Sequence, residues 1–291
     1  MVSPAQEFLV RVQIMSLYDI NTINQTFECK VWIKFCWTND FTWCDTYMPS
    51  FVDSINGRIL SVKVCAEKKT ARIIYQGVFP HVFDMRSFPF DVQVLKIRLF
   101  FYGLKVGVVN FVPTGISNIF METMTQQHTW TVHGVRFLQE VTERERNEAQ
   151  IQHPILSICI PLTRRPGFYL WNLVAPCHML SGLGLTIFII EDVTNQLNAI
   201  LMLLLTLIAL KSSVSQFTPI TSSQLTALDK NVVCNIGIIG WLLLVVAISD
   251  SSEIIMQPWI VIPITGTLWV LCNIHMWFKA IRHSALRPIP P

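Results

Sequence analysis

The chain has 291 residues, of which 52% are hydrophobic and 14% charged, and Lys and Arg exceed Asp and Glu by 22 to 19, a formal net charge of +3. A mean hydropathy of +0.45 is too high for an ordinary soluble protein of this length. A charge of +3 with no Lys/Arg cluster gives no footing for nucleic acid, and no paired acid and base, nucleophile or metal constellation points to catalysis, so neither an enzyme nor a cofactor is expected.

The apolar excess is uneven, which predicts two domains. Residues 1–163 hold most of the charge and read as a water-exposed domain; residues 164–291 are nearly uncharged between short polar breaks and read as a membrane domain. The chain opens Met1-Val2-Ser3-Pro4-Ala5, without the basic start and apolar core of a signal peptide. Either a signal was removed from a mature form or the N-terminal domain does not cross through one.

The first domain reads as strands. Phe8, Val10, Val12 and Ile14 alternate with Leu9, Arg11, Gln13 and Met15, a period of two. Gly57-Arg58 reads as a turn leading into a strand over 59–64, and 94–99 alternates apolar with basic residues as a half-buried antiparallel strand does. Residues 129–138 and 154–161 supply two more. Short strands at this spacing, with turn residues between them, predict an immunoglobulin-like antiparallel β-sandwich. The charge run 139–148 fits a solvated hairpin tip or a loop capping a ligand. The eight cysteines show no CxxC spacing, which leaves buried free thiols or a disulfide framework, and no metal site.

Four apolar stretches follow, predicting transmembrane helices at about 168–190, 193–216, 230–249 and 254–280, each long enough to cross a hydrocarbon core of about 30 Å. The second is unlike the others. Thr194 and Asn198 begin a face that Leu201, Leu205 and Ile208 continue at steps of three and four, and Ser212 extends it. A pore-lining helix needs polar groups where ions dehydrate and an apolar ring where the pore dewets. A buried bundle helix with polar caps accounts for the same spacing. His178 and His275 lie inside spans, either as proton sensors or as histidines bonded to a neighbouring helix.

Three motifs in order resemble the pentameric ligand-gated ion channel superfamily: Ser87-Phe88-Pro89-Phe90-Asp91-Val92-Gln93, the run from Arg164 to Pro176 at the start of the first span, and Pro219-Ile220-Thr221-Ser222-Ser223 after the second. Trp37-Thr38-Asn39-Asp40 resembles the family's Trp-x-Asp strand motif with the acid displaced by one. The resemblance covers about residues 8–280 and implies a β-sandwich, then a four-helix membrane bundle, in a homo- or hetero-pentamer around a central pore. The family's loop-closing cysteines would fall at His81 and Leu95, so that disulfide is absent, as in bacterial members. The vicinal cysteines and paired tyrosines of the family's capping loop are missing from 139–152, and no ligand-binding residue is assigned.

Carried over residue by residue, the resemblance implies a pore lined by Thr194, Asn198, Leu201, Leu205, Ile208, Ala209 and Ser212, with Leu201 or Leu205 as the central gate. It makes Glu191 and Asp192 carboxylate rings that favour cations, although Glu191 could serve simply as the helix cap. Coupling to the gate would involve Asp19, Asp91 and Arg164 together with Pro219 and Thr221. The implied protein is a cation channel gated by a small molecule or by protons, whose partners are four further like subunits, membrane lipid and permeant cations. The alternative is a non-conducting homologue kept as a structural or accessory subunit. The family places the β-domain outside a cell membrane. The flanking charges point the other way, because Arg164, Arg165, Lys211, Lys230, Lys279 and Arg282 lie on the β-domain side and Glu191, Asp192, Asp250 and Glu253 opposite, so an inverted topology in an internal membrane stays open.

Overall fold

In the computed structural model, which describes residues 6–37, 43, 48–101, 109–113, 123–124, 128–146, 149–215, 225–251 and 258–285, the alternating residues of the first half pair into two sheets. The strands are β1 (Gln6–Asn21), β2 (Thr26–Trp37), β3 (Ser50–Val52), β4 (Asn56–Cys65), β5 (Thr70–Pro80), β6 (Val92–Phe100), β7 (Val109–Pro113), β8 (Thr123–Met124), β9 (Trp130–Val132), β10 (Arg136–Arg146) and β11 (Ala149–Arg164). One sheet runs β4-β5-β2-β1-β7 with β8 beside β1; the other runs β10-β11-β6-β3 with β9 on β11. The expected β-sandwich is present, with two parallel pairings, β1 to β7 and β1 to β8, that alternation alone does not reveal.

Period-two patterning decides what is buried. Phe8, Val10, Val12 and Ile14 turn inward on β1, and Phe27, Cys29, Val31, Ile33 and Phe35 do so on β2. Each of the Val, Ile and Phe side chains contributes about 1.5–3 kcal/mol by leaving water. Trp43 stacks on Trp37 and Phe35 at ring separations of 5.6 and 5.7 Å, closing one end of this core. The expected turn at Gly57 is instead a strand position, paired with Gly77 in the β4–β5 ladder. A Cβ at Gly57 would collide with the side chains of Tyr75 and Ser54, so this glycine makes room for a neighbour. The reversal falls just before it, at Asp53, whose φ is +66°. The charge run beyond residue 138 forms the outer end of the β10–β11 hairpin, with Arg146 opposite Ala149.

The chain divides into two compact units, Met1–Phe83 with Gln93–Thr163, and Asp84–Val92 with Arg164–Pro288. The second holds α1 (Gly167–Tyr169), a π-helical turn Leu170–Val174, α2 (Ala175–Leu185), a 3-10 turn Ile187–Ile189, α3 (Val193–Ser215), α4 (Ala227–Ser251) and α5 (Pro258–Ala285). Pro176 explains the π-turn: it has no N–H, and its ring would strike the carbonyl one turn back. The backbone widens there, and the Ala175 N–H reaches Leu170 O. Among the described residues four helical segments are long and apolar enough to cross a membrane: Gly167–Ile189, Val193–Ser213, Ala227–Ser249 and Trp259–Arg282. The third begins earlier than hydropathy alone suggests because Thr226 and Asp229 form a reciprocal cap, Asp229 N to Thr226 Oγ1 at 3.0 Å and Thr226 N to Asp229 Oδ2 at 3.2 Å. Gly184 lets α2 approach α4 closely, since a Cβ there would run into Ile239.

Candidate functional site

Two features of the helical unit carry the chemistry. The first is built on the loop 84–92. Its carbonyls meet the first N–H groups of α4: Ala227 N donates to Arg86 O at 3.1 Å and Leu228 N to Phe88 O at 3.2 Å. These are donors that a helix start leaves without an internal partner. Asp91 ends the loop, and Arg164 reaches it with Nε to Oδ1 at 2.7 Å and Nη2 to Oδ2 at 3.2 Å, a forked pair reinforced by Arg164 N to Asp91 O at 3.2 Å. Asp91 is 2% exposed and Arg164 7%. The guanidinium lies 4.9 Å over the Phe88 ring, and its Nη1 donates to Tyr169 Oη at 3.3 Å. Phe88 meets Tyr169 edge-on at 4.7 Å, and Phe90 meets Trp277 of α5 at 5.6 Å. The ion pair and the guanidinium over Phe88 thus tie the loop to Arg164, the two ring pairs tie it to α1 and α5, and the two backbone hydrogen bonds tie it to α4. Asp19, expected in the same cluster, lies exposed on β1 in the sheet unit. Pro219 and Thr221 lie outside the described residues.

The second feature is the free face of α3. Thr194, Asn198, Leu201, Leu205, Ile208, Ala209 and Ser212 are all exposed, Leu205 at 69%, whereas Ile200 and Leu207 on the opposite side are fully buried. The helix therefore turns its apolar back to the bundle and leaves the expected stripe uncovered. At its start Glu191 and Asp192 are both exposed. Asp192, rather than Glu191, supplies the cap: Oδ1 accepts from Thr194 N at 3.4 Å and Oδ2 from Asn195 N at 3.3 Å.

A buried polar network went unnoticed in the sequence. Asn235 Oδ1 accepts from Ser181 Oγ at 2.7 Å and from Trp269 Nε1 at 2.8 Å, and Asn231 Nδ2 donates to Asn273 Oδ1 at 2.6 Å. His178 Nε2 lies 3.1 Å from the same Asn231 amide. The signal was available as polar residues at steps of three and four within apolar spans: His178 and Ser181, Asn231 and Asn235, Trp269 and Asn273. His178 is thus bonded across helices, while His275 is exposed on α5. Among the described residues the cysteines are free and no group of acidic, His and Cys side chains is placed to hold a metal.

No protein-family model matches the chain. Several curated proteins do align with it. The betaine receptor acr-23 of Caenorhabditis elegans is 20% identical over 141 residues, covering 46% of this chain and 26% of the relative. The neuronal acetylcholine receptor subunit alpha-3 of Carassius auratus is 22% identical over 246 residues, 72% of this chain and 46% of the relative. The beta-4 subunit of Rattus norvegicus is 24% identical over 151 residues, 50% of this chain and 29% of the relative. The chain spans between about a quarter and a half of the length of these relatives. The similarity is low but consistent, and every relative named here is a receptor or receptor subunit rather than an enzyme. Together with four apolar helices of spanning length, it makes this a multi-pass membrane protein resembling the ligand-gated channel receptors.

Proposed function

We propose that this chain, similar to acetylcholine- and betaine-receptor subunits, is one subunit of a pentameric ligand-gated cation channel in a cell membrane, with its sheet domain outside. The observation that carries the reading is the uncovered stripe of α3, polar at Thr194, Asn198 and Ser212 and apolar at Leu201, Leu205 and Ile208. Five such faces turned to a common axis form a water path with an apolar constriction, which closes by dewetting. Glu191 leads the helix with a carboxylate that does not cap it, so five copies concentrate negative field at one mouth and favour cations. Asp192 adds charge while holding the helix start.

The loop 84–92 with Arg164 and Asp91 is the coupling element. It caps α4 and touches α5, so a displacement of the loop moves helix ends as one body. The agonist is a small molecule or the proton. Purified protein in a planar bilayer, stepped from about pH 7.5 to 4.5 across the histidine and carboxylate range, is expected to show cation-selective openings. Leu201→Ala or Leu205→Ala is expected to shift the half-maximal pH or agonist concentration. Silence of intact pentamers to protons and to betaine- or acetylcholine-like cations would favour the non-conducting accessory subunit instead.

A further inference from the structure

Basic residues form no run along the chain, but folding makes one across the strands. Arg11 on β1 is paired opposite Lys34 on β2, Lys34 opposite Arg72 on β5, and Arg72 opposite Lys63 on β4. Directly opposed residues share a face, and neighbouring strands lie about 4.8 Å apart, so four cations stand in a line about 14 Å long. The face is the one turned away from the core, since the alternate residues Ile33, Phe35, Ala71 and Ile73 are buried. Arg11, Arg72 and Lys63 are exposed and Lys34 is half-buried. Like charges set opposite one another weaken a sheet, and no carboxylate offsets these four. None of them is ion-paired among the described residues. The adjoining rows, through Cys36 on one side and Trp32 on the other, contain no acidic residue. Glu28, the acid of β2, lies three rows away and accepts a hydrogen bond from Gln76 at 2.7 Å. A field of this sign attracts a multivalent anion.

The row through Trp32 says which kind. Trp32 lies two residues before Lys34 on the same face, about 7 Å away along the strand, with Ile74 opposite it on β5. It is half-buried, and its ring meets no other aromatic ring among the described residues. An indole on a sheet face is a platform for stacking, and every nucleobase has a π-face to lay on it. An inorganic anion would use the cations and ignore the indole. A single strand of nucleic acid needs a succession of platforms, and the rows on either side of Trp32 carry no second aromatic residue. One ring beside one line of cations matches one base with its own chain of phosphates.

We propose that this face of the sheet binds a nucleoside triphosphate, with the base stacked on Trp32 and the phosphates lying over Lys34, Arg72 and Lys63. The site is built within one sheet of one chain and stands apart from the channel reading. Bound phosphates would also relieve the opposition of like charges across the strands, so the nucleotide stabilises the sheet as it binds.

The test is calorimetric titration of the full chain in detergent, at about 0.15 M salt so that loose charge attraction is screened, with ATP, AMP and inorganic triphosphate as probes. ATP is expected to bind more tightly than either of the others. Trp32→Ala should weaken ATP roughly fivefold or more and leave inorganic triphosphate unchanged. Lys34→Gln with Arg72→Gln should weaken both ATP and triphosphate roughly tenfold or more. That variant removes opposed like charges, so it is expected to fold. If it does not, Lys63→Gln carries the same comparison with a loss of about threefold. Lys279→Gln with Arg282→Gln, an equal charge loss on α5, should leave ATP binding unchanged. Triphosphate binding as tightly as ATP, or an equal loss in the α5 variant, would overturn the proposal. So would tighter binding of a short thymidine oligonucleotide of equal charge, which would assign the face to single-stranded nucleic acid.

Discussion

Arg164 and Asp91 lie almost wholly out of water, and a buried pair of this kind behaves asymmetrically under mutation. Removing either partner strands the other charge at a cost of about 3–5 kcal/mol, whereas replacing both with apolar groups of similar volume is near neutral. Arg164→Met and Asp91→Leu are therefore each expected to lower the melting temperature and yield of detergent-solubilised protein, and the double variant to recover most of the loss. Additive losses would mean that the two side chains act separately. His81 is the other telling residue. Burial, despite a hydrogen bond to Gln93 and with a smaller contribution from Lys96, pushes its pKa from 6.5 down to about 4. It stays neutral in the folded protein while the unfolded chain takes up a proton, so stability is full above pH 6.5 and declines until the pH reaches about 4. His81→Gln should flatten this part of the stability profile relative to wild type. An unchanged profile would show that other groups dominate acid sensitivity.

Helix against helix, the membrane unit is held by close approach and polar links rather than by the hydrophobic effect, since lipid tails are as apolar as leucine. Gly184 supplies the approach: Gly184→Leu pushes atoms into Ile239 and Leu242 and is expected to cost about 1–3 kcal/mol. Asn235 supplies the link. Asn235→Leu removes the acceptor for both Ser181 and Trp269, at about 0.6–2 kcal/mol for each bond lost in a bilayer. Unfolding of reconstituted protein in denaturing detergent measures both, and Asn235→Asp should retain more stability than Asn235→Leu because it keeps the acceptor. Spacing within each span carried a signal for these asparagines that the sequence reading passed over. Their mutual contacts were not, because bonds from residue 231 to 178 and 273 depend on how three helices pack.

For the whole molecule, the decisive question is what faces the stripe on α3. If five copies surround water, single cysteines at Thr194, Asn198, Leu201, Leu205 and Ser212 should react with a charged thiol reagent in the open state, at steps of three and four, while cysteines at Ile200 and Leu207 stay protected. Protection at all positions would mean the stripe faces lipid or another protein. The sequence by itself determined the sandwich and the four spans, because period-two burial and uninterrupted apolar length are local signals that survive without neighbours. It also singled out the face of α3, whose polar and apolar residues recur on one side of a helix whatever surrounds it. Only tertiary structure decided that the loop 84–92 belongs with the helices, that Gly57 makes room for Tyr75 instead of turning the chain, that Asp192 rather than Glu191 caps α3, and that Arg11, Lys34, Arg72 and Lys63 stand in one row. Each of these depends on atoms from distant segments meeting, and no periodicity along the chain records such a meeting.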